Sequence, residues 1–341
     1  MRIGPVTHFA LSFALLGLLP MAPPCRAQGN LPGLRRSQRQ PFSASQAAAQ
    51  AAEAVPAGPP TYTFTLINFP GAPDTLAEAI NSGAKASDEQ IVGAYGPGVQ
   101  DLGGDGFLLR IKRSTGAVSE TFQTVDFSGG STQTAGGVND SGQIVGHYSD
   151  GLGVFHGYEL SGGTYTTINV SFSGAVDTFP YGIDNAGDIV GCWSGSGNTA
   201  GGFELSGGTY TQLQFPGGTG TCGHAINNKG DITGYYDDTS GAHGFVLSAG
   251  IYTSIDVPGA VETIAGGIND AGDIVGVYCT TSACITALDG AQGFLLSKGV
   301  FSTINVPGAS ATAPISISDK GILVGWYADC AGITHSFIAT P

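Results

Sequence analysis

From Thr63 to Ile338 the chain alternates short apolar, β-branched runs with short polar turns. The most regular run reads Ile-Val-Gly-x-aromatic. It occurs as Ile91-Val92-Gly93-Ala94-Tyr95, Ile144-Val145-Gly146-His147-Tyr148 and Ile189-Val190-Gly191-Cys192-Trp193. It returns as Ile232-Thr233-Gly234-Tyr235-Tyr236, Ile274-Val275-Gly276-Val277-Tyr278 and Leu323-Val324-Gly325-Trp326-Tyr327. The anchor glycines lie 53, 45, 43, 42 and 49 residues apart. Six copies at a nearly fixed period mark a repeat architecture.

Each copy predicts four strands. An apolar pair and a polar turn precede the anchor, as in Gly267-Ile268-Asn269-Asp270-Ala271-Gly272-Asp273. A short strand such as His243-Gly244-Phe245-Val246-Leu247-Ser248 follows it. A Gly-bearing turn then leads to a β-branched strand such as Tyr252-Thr253-Ser254-Ile255-Asp256-Val257, which Pro258-Gly259 stops. Four short antiparallel strands repeated six times fit the blades of a six-bladed β-propeller, and a β-solenoid is the alternative. The anchor strands are apolar on consecutive positions, as strands buried on both faces require. Their glycine admits a neighbouring backbone, and the aromatic two positions later shares its face. Thr63 to Phe69 resembles the fourth strand of the unit yet precedes the first anchor, and the chain ends on a third strand at His335-Ser336-Phe337-Ile338. The N-terminal strand is therefore expected to complete the last blade and close the ring.

Composition narrows the picture. Glycine, with 56 copies, dominates, and charged residues make up only 11%, which suits short strands and tight turns. From Thr61 onward seven basic residues face 25 acidic ones, a balance of −18. Such a surface repels phosphate backbones, so no nucleic-acid partner is expected.

Residues 1–27 read as a signal peptide: Arg2, an apolar run from Phe9 to Leu19, and Cys25-Arg26-Ala27 as the cleavage site. The run is too short to span a bilayer, and no later segment predicts a membrane span. Residues 28–60 lack apolar periodicity and read as a disordered linker, leaving 61–341 as the repeat domain. The expected location is secreted or periplasmic, and the expected state a monomer.

The repeat resembles the extracellular HAF repeat of exported bacterial proteins. The matching residues are His243-Gly244-Phe245-Val246-Leu247-Ser248, His156-Gly157-Tyr158, and Ile268-Asn269-Asp270-Ala271-Gly272-Asp273-Ile274-Val275-Gly276, with His335-Ser336-Phe337 as a variant. The resemblance covers about 63 to 341. It departs where the family often has Asp-Leu-Gly-Thr-Leu, because this chain has Tyr-Thr-x-Ile-Asn/Asp-Val-Pro-Gly there. The resemblance implies export and repeats, and no particular activity.

Candidate chemistry comes from the turns and from departures from the repeat. The turns ending in Asp188, Asp231 and Asp273 offer clustered oxygens that could hold Ca²⁺. A hairpin turn with a left-handed glycine asks for the same residues, and the bidentate Glu of a Ca²⁺ loop is missing. No cofactor is otherwise expected. His156, His243 and His335 share one repeat position and are expected to bond backbone at a strand start. His147 and His224 are unique to their copies. Tyr235 and Trp326 stand where other copies have Ala94, His147, Cys192 or Val277. These four, His147, His224, Tyr235 and Trp326, are the ligand-binding candidates. The regular set Tyr95, Tyr148, Trp193, Tyr236, Tyr278 and Tyr327 is expected to pack. Cys279 and Cys284 flank an inserted loop and are expected to pair, Cys192 and Cys222 are placed to bridge neighbouring units, and Cys330 is left over as a free thiol.

No nucleophile elbow or phosphate loop stands out. The reading is a secreted, non-enzymatic binding or scaffold protein that takes a glycan or protein on a loop face. The alternative is a polysaccharide-active lyase or hydrolase, which would gather Asp, Glu, His or Tyr from separate blades into one cleft.

Overall fold

In a computed structural model, residues 61–83, 88–97, 104–114, 117–197, 199–281 and 290–341 are described. The segments read as signal peptide and linker, and Cys284 with its loop, lie outside them. The described chain is all β, and it is a six-bladed propeller.

β1 (Thr63–Ile67) stands apart from the repeat order. Blade 1 is β2 (Thr75–Ile80), β3 (Asp88–Tyr95), β4 (Asp105–Ser114) and β5 (Ala117–Val125). Blade 2 is β6 (Gln133–Val138), β7 (Ile144–Ser149), β8 (Phe155–Ser161) and β9 (Thr164–Ile168). Blade 3 is β10 (Ala175–Ile183), β11 (Ile189–Gly195), β12 (Ala200–Ser206) and β13 (Thr209–Leu213). Blade 4 is β14 (Gly220–Ile226), β15 (Ile232–Asp237), β16 (Ala242–Ser248) and β17 (Ile251–Ile255). Blade 5 is β18 (Glu262–Ile268), β19 (Ile274–Cys279), β20 (Gln292–Ser297) and β21 (Val300–Ile304). Blade 6 is β22 (Ala311–Ile317), β23 (Leu323–Ala328) and β24 (Thr334–Thr340), and β1 supplies its fourth strand. The ring therefore closes as expected, with Thr63 opposite Thr340 and Ile67 opposite Ser336 in an antiparallel ladder.

The anchor glycine has a steric cause. A Cβ on Gly146 would lie 1.9 Å from the Thr134 carbonyl oxygen and 2.7 Å from the Tyr158 hydroxyl. On Gly276 it would meet the Ile264 carbonyl at 2.1 Å and the Phe294 ring at 2.8 Å. Beneath these glycines lie the largest fully buried side chains, Phe107, Tyr158, Phe203, Phe245, Phe294 and Phe337. Each such ring contributes roughly 1.5–3 kcal/mol of burial, so one small residue per blade makes room for one large one.

The regular aromatics pack, as expected. Tyr95 stacks on Phe69 at 3.5 Å between centroids, Tyr148 on Phe127 at 3.8 Å, and Tyr236 on Phe215 at 3.6 Å. The variable residue after each anchor glycine pairs across the sheet with the innermost strand: Ala94 with Leu76, His147 with Thr134, Cys192 with Phe179, Tyr235 with Cys222, Val277 with Ile264, and Trp326 with Ala313. In four of these pairs a bulky side chain faces Ala or Cys, so volume is traded within the pair, and the position varies because its partner does.

Two neighbouring pairs are stapled. Cys192 of blade 3 and Cys222 of blade 4 form a disulfide with Cα atoms 5.0 Å apart. Cys279 and Cys330 each take part in a disulfide, and no described cysteine is free. This corrects the expectation of a free Cys330.

Candidate functional site

The six innermost strands surround the propeller axis, and each carries an irregularity three residues before its turn. The pairing register slips at Glu78, Gly136, Tyr181, His224, Gly266 and Ile315. In blade 5 the slip also takes in Gly267. An extra residue in one strand has no partner on the other, so its side chain is re-aimed out of the blade. All six bulge residues line one axial cavity of about 180 Å³. That is several times the roughly 30 Å³ share of one liquid water. Two walls are bare backbone, because a Cβ on Gly136 or Gly266 would meet a carbonyl oxygen of the next blade at 2.9 or 2.8 Å.

The mouth is a closed circle of turns. Gly83 N donates to Asp140 Oδ1 at 2.8 Å, Asp140 N to Asn185 Oδ1 at 2.9 Å, and Asn185 N to Asn228 Oδ1 at 2.9 Å. Asn228 N donates to Asp270 Oδ1 at 2.8 Å, Asp270 N to Asp319 Oδ1 at 2.8 Å, and Asp319 N to Ser82 Oγ at 3.0 Å. Each blade thus hands one bond to the next. The residue before it in each turn serves the turn itself: Asn227 Oδ1 accepts from Lys229 N and Asp231 N, and Gly230 takes φ +78°. Asp231 and Asp273 accept from Asn227 and Asn269 at 3.1 and 3.3 Å, and Asp188 caps its turn through backbone bonds to Asp184. Among the described residues no group of three or more His, Cys, Asp or Glu is arranged to hold a metal ion.

The floor is apolar. Tyr235, Ile264, Val277 and Ala291 pack about the Cys192–Cys222 disulfide, and Trp326 packs with Leu76, Ala94 and Ala313.

Three of the four sequence candidates, His224, Tyr235 and Trp326, line this cavity. The fourth, His147, is buried beside it against Phe155, Phe179 and Tyr181, with its Nδ1 unpaired. The sequence reading missed Glu78 and Tyr181, since a bulge residue breaks the two-residue period on which strand faces are assigned. Aligning the six copies on their turns exposes the signal. The column three before the turn holds Glu, Gly, Tyr, His, Gly and Ile, while its neighbours repeat.

The polar cavity groups are electrostatically tuned. Burial raises the Glu78 carboxyl to about 7, with no neighbouring charge contributing. Glu78 keeps some accessible surface, but that surface faces the cavity. Burial lowers His224 and His147 to about 4 each, so both imidazoles are neutral at pH 7. Tyr181 is raised by burial and then by the Glu78 charge. Its ring meets His224 edge to face at 5.4 Å, and His224 meets Tyr235 at 5.5 Å. Carboxyl, phenol, imidazole and phenol are thus held around one space, a set able to bind a polar ligand or move a proton.

The repeated histidines lie outside the cavity lining. They do not bond backbone as expected. His156 bonds Asp150 and Asn169, His243 bonds Asp256 and Ser240, and His335 bonds Asp329. Each also packs on the anchor aromatic of its blade, at 5.1 to 5.3 Å.

The sequence matches no protein-family model and no curated protein. Its fold is similar to that of solved propellers. A putative TolB from Agrobacterium tumefaciens superposes with a TM-score of 0.52 at 14% identity, covering 78% of this chain and 91% of that one. A Trypanosoma rangeli sialidase gives 0.49 at 10% identity, over 79% and 55%, and a fucose-specific lectin from Aleuria aurantia gives 0.37 at 13% identity, over 77% and 96%. These likenesses concern the fold alone. Among the described residues no helix is long and apolar enough to cross a membrane.

Proposed function

We propose that this is an exported, non-enzymatic binding protein of the HAF-repeat type whose ligand occupies the axial cavity, reached from the face that carries the turn ring. The observation that carries the reading is the convergence of Glu78, Tyr181 and His224, from three blades, on one cavity. A regular propeller needs none of them, since glycine serves at the same position in two other blades. The disulfide between blades 3 and 4 supports an oxidising, extracytoplasmic location. The cavity suits a small molecule or the end unit of a longer chain such as a glycan. A polymer running along the outer surface would not reach Glu78.

The test is a small-molecule screen, by ligand-observed NMR, on the full chain and on Ile315→Trp, which fills the cavity from its wall. Ligands should bind the parent protein and be lost from the folded variant. Binding that survives Ile315→Trp would place the site elsewhere and refute the axial reading.

One observation favours a second reading, a lyase or hydrolase. Glu78 and His224 hold protons of different strength within one cavity, as an acid and a base would. Release of product from any glycan, abolished by Glu78→Gln, would establish turnover in place of binding alone.

A further inference from the structure

The axial cavity contains one group that the fold leaves unbalanced. Glu78 makes no hydrogen bond or ion pair with any described residue, and burial alone governs its carboxyl. Lys320, near the ring of turns, is paired with Glu89 at 3.6 Å. His224 is uncharged at neutral pH, so among the described residues that line the cavity none supplies a cation. An ionised carboxylate so placed is costly unless a counter-charge arrives with a ligand.

The remaining walls specify what that counter-charge is attached to. Tyr181, Tyr235 and Trp326 present aromatic surface to the same space, and Ile315, Ile264 and Val277 add apolar surface. Ring faces attract cations, most strongly where water is excluded. The mouth carries carboxylates at Asp140, Asp270 and Asp319, and the domain's net charge is strongly negative, so cations are drawn in and anions turned away.

We infer that the axial cavity binds a small organic cation, an ammonium-bearing molecule, with Glu78 as its counter-ion and Tyr181, Tyr235 and Trp326 as its aromatic walls. The inference rests on the axial binding reading above and narrows its ligand class.

The test is calorimetric titration of the folded, full chain with tetramethylammonium, with choline, and with 3,3-dimethylbutan-1-ol, the neutral isostere of choline. The same titrations are run on Glu78→Gln and Ile315→Trp, each checked for native circular dichroism. A cation should saturate the parent protein at pH 8, and the isostere should bind at least tenfold more weakly. Glu78→Gln should lower cation affinity at least tenfold. Protons compete for Glu78, so cation affinity should fall about tenfold from pH 8 to pH 6. The described titratable groups that line the cavity with Glu78 are Tyr181 of β10, His224 of β14, Tyr235 of β15 and the mouth carboxylates Asp140, Asp184, Asp270 and Asp319. Both His224 and the adjacent His147 are neutral throughout that range.

Equal binding of the isostere, or undiminished cation binding by Glu78→Gln, would overturn the cation assignment and leave axial binding standing. Absence of binding by both cations would overturn it too. Cation binding that persists in Ile315→Trp would refute the axial site itself.

Discussion

The ring of Tyr181 meets the ring of His224 edge to face at 5.4 Å, across the boundary between blades 3 and 4. Both residues occupy bulges, and both were freed from their own sheets by the same one-residue slip. The contact shows how a repeat fold builds a unique site. The backbone device is repeated around the axis, and only the side chain that it displays differs. Glu78 uses the same device in blade 1, and its protonation gives the first expectation. Its folded pKa, about 7, lies above the ordinary carboxyl value of 4.5. The folded state therefore binds the extra proton between those values, and the ionised form is destabilising above pH 7. Glu78→Gln should stabilise the protein by about 2–3 kcal/mol at pH 8. The gain should vanish near pH 4.5. Urea unfolding at the two pH values measures it, and an equal effect at both would contradict the assignment.

The buried histidines act in the opposite sense. Burial lowers His147 and His224 from 6.5 to about 4. Below pH 6.5 the unfolded chain takes up protons that the folded chain refuses, so stability is complete above 6.5 and is lost as the pH falls toward 4. His147, fully enclosed, accounts for about 3 kcal/mol of that loss, and His224, which keeps some surface on the cavity, for less. His147→Phe, which keeps a ring against Phe155 and Phe179, should flatten the acid limb of the stability curve. An acid limb identical to that of the parent protein would show that His147 is already charged or exposed.

The anchor glycines should tolerate no side chain. Gly146→Ala places a methyl 1.9 Å from the Thr134 carbonyl oxygen, on backbone that cannot move without opening the blade. The expected cost is at least about 3 kcal/mol, from overpacking in a filled core. The control is Gly151→Ala, where an added Cβ meets nothing within 4 Å, and thermal melting should separate the two clearly.

The Cys192–Cys222 bridge closes a loop across a sequence separation of 30. Chain-entropy arguments give such a loop roughly 3–4 kcal/mol. Cys192→Ala with Cys222→Ala should lower the denaturant midpoint accordingly. An unchanged midpoint in the double variant would show that packing of the floor, not the covalent link, holds blades 3 and 4 together.

Most of the architecture was legible because it is periodic. The Ile-Val-Gly-x-aromatic anchor, the four strands per copy, the closing strand from Thr63 and the bridge between Cys192 and Cys222 all follow from local residue patterns or from copy number. The site was legible only in part. His224, Tyr235 and Trp326 stood out as departures from the repeat. Glu78 and Tyr181 did not. Their convergence depends on bulges, and a bulge leaves no mark in hydrophobic alternation. His156, His243 and His335 drew attention as a repeated feature, and His156 and His335 each bond the aspartate six residues before them while His243 bonds Asp256, a pairing that the repeat alone does not mark. Cys330 looked unpaired because the count of five cysteines left one over, and a count does not say which one.

The central claim is that the axis is the ligand site, and the most direct measurement is a crystal structure of the full chain grown with the tightest-binding compound from the screen. The account expects ligand density in the cavity, within contact distance of Glu78, Tyr181 and His224. Ligand density confined to the outer loops, with only water at the axis, would contradict it.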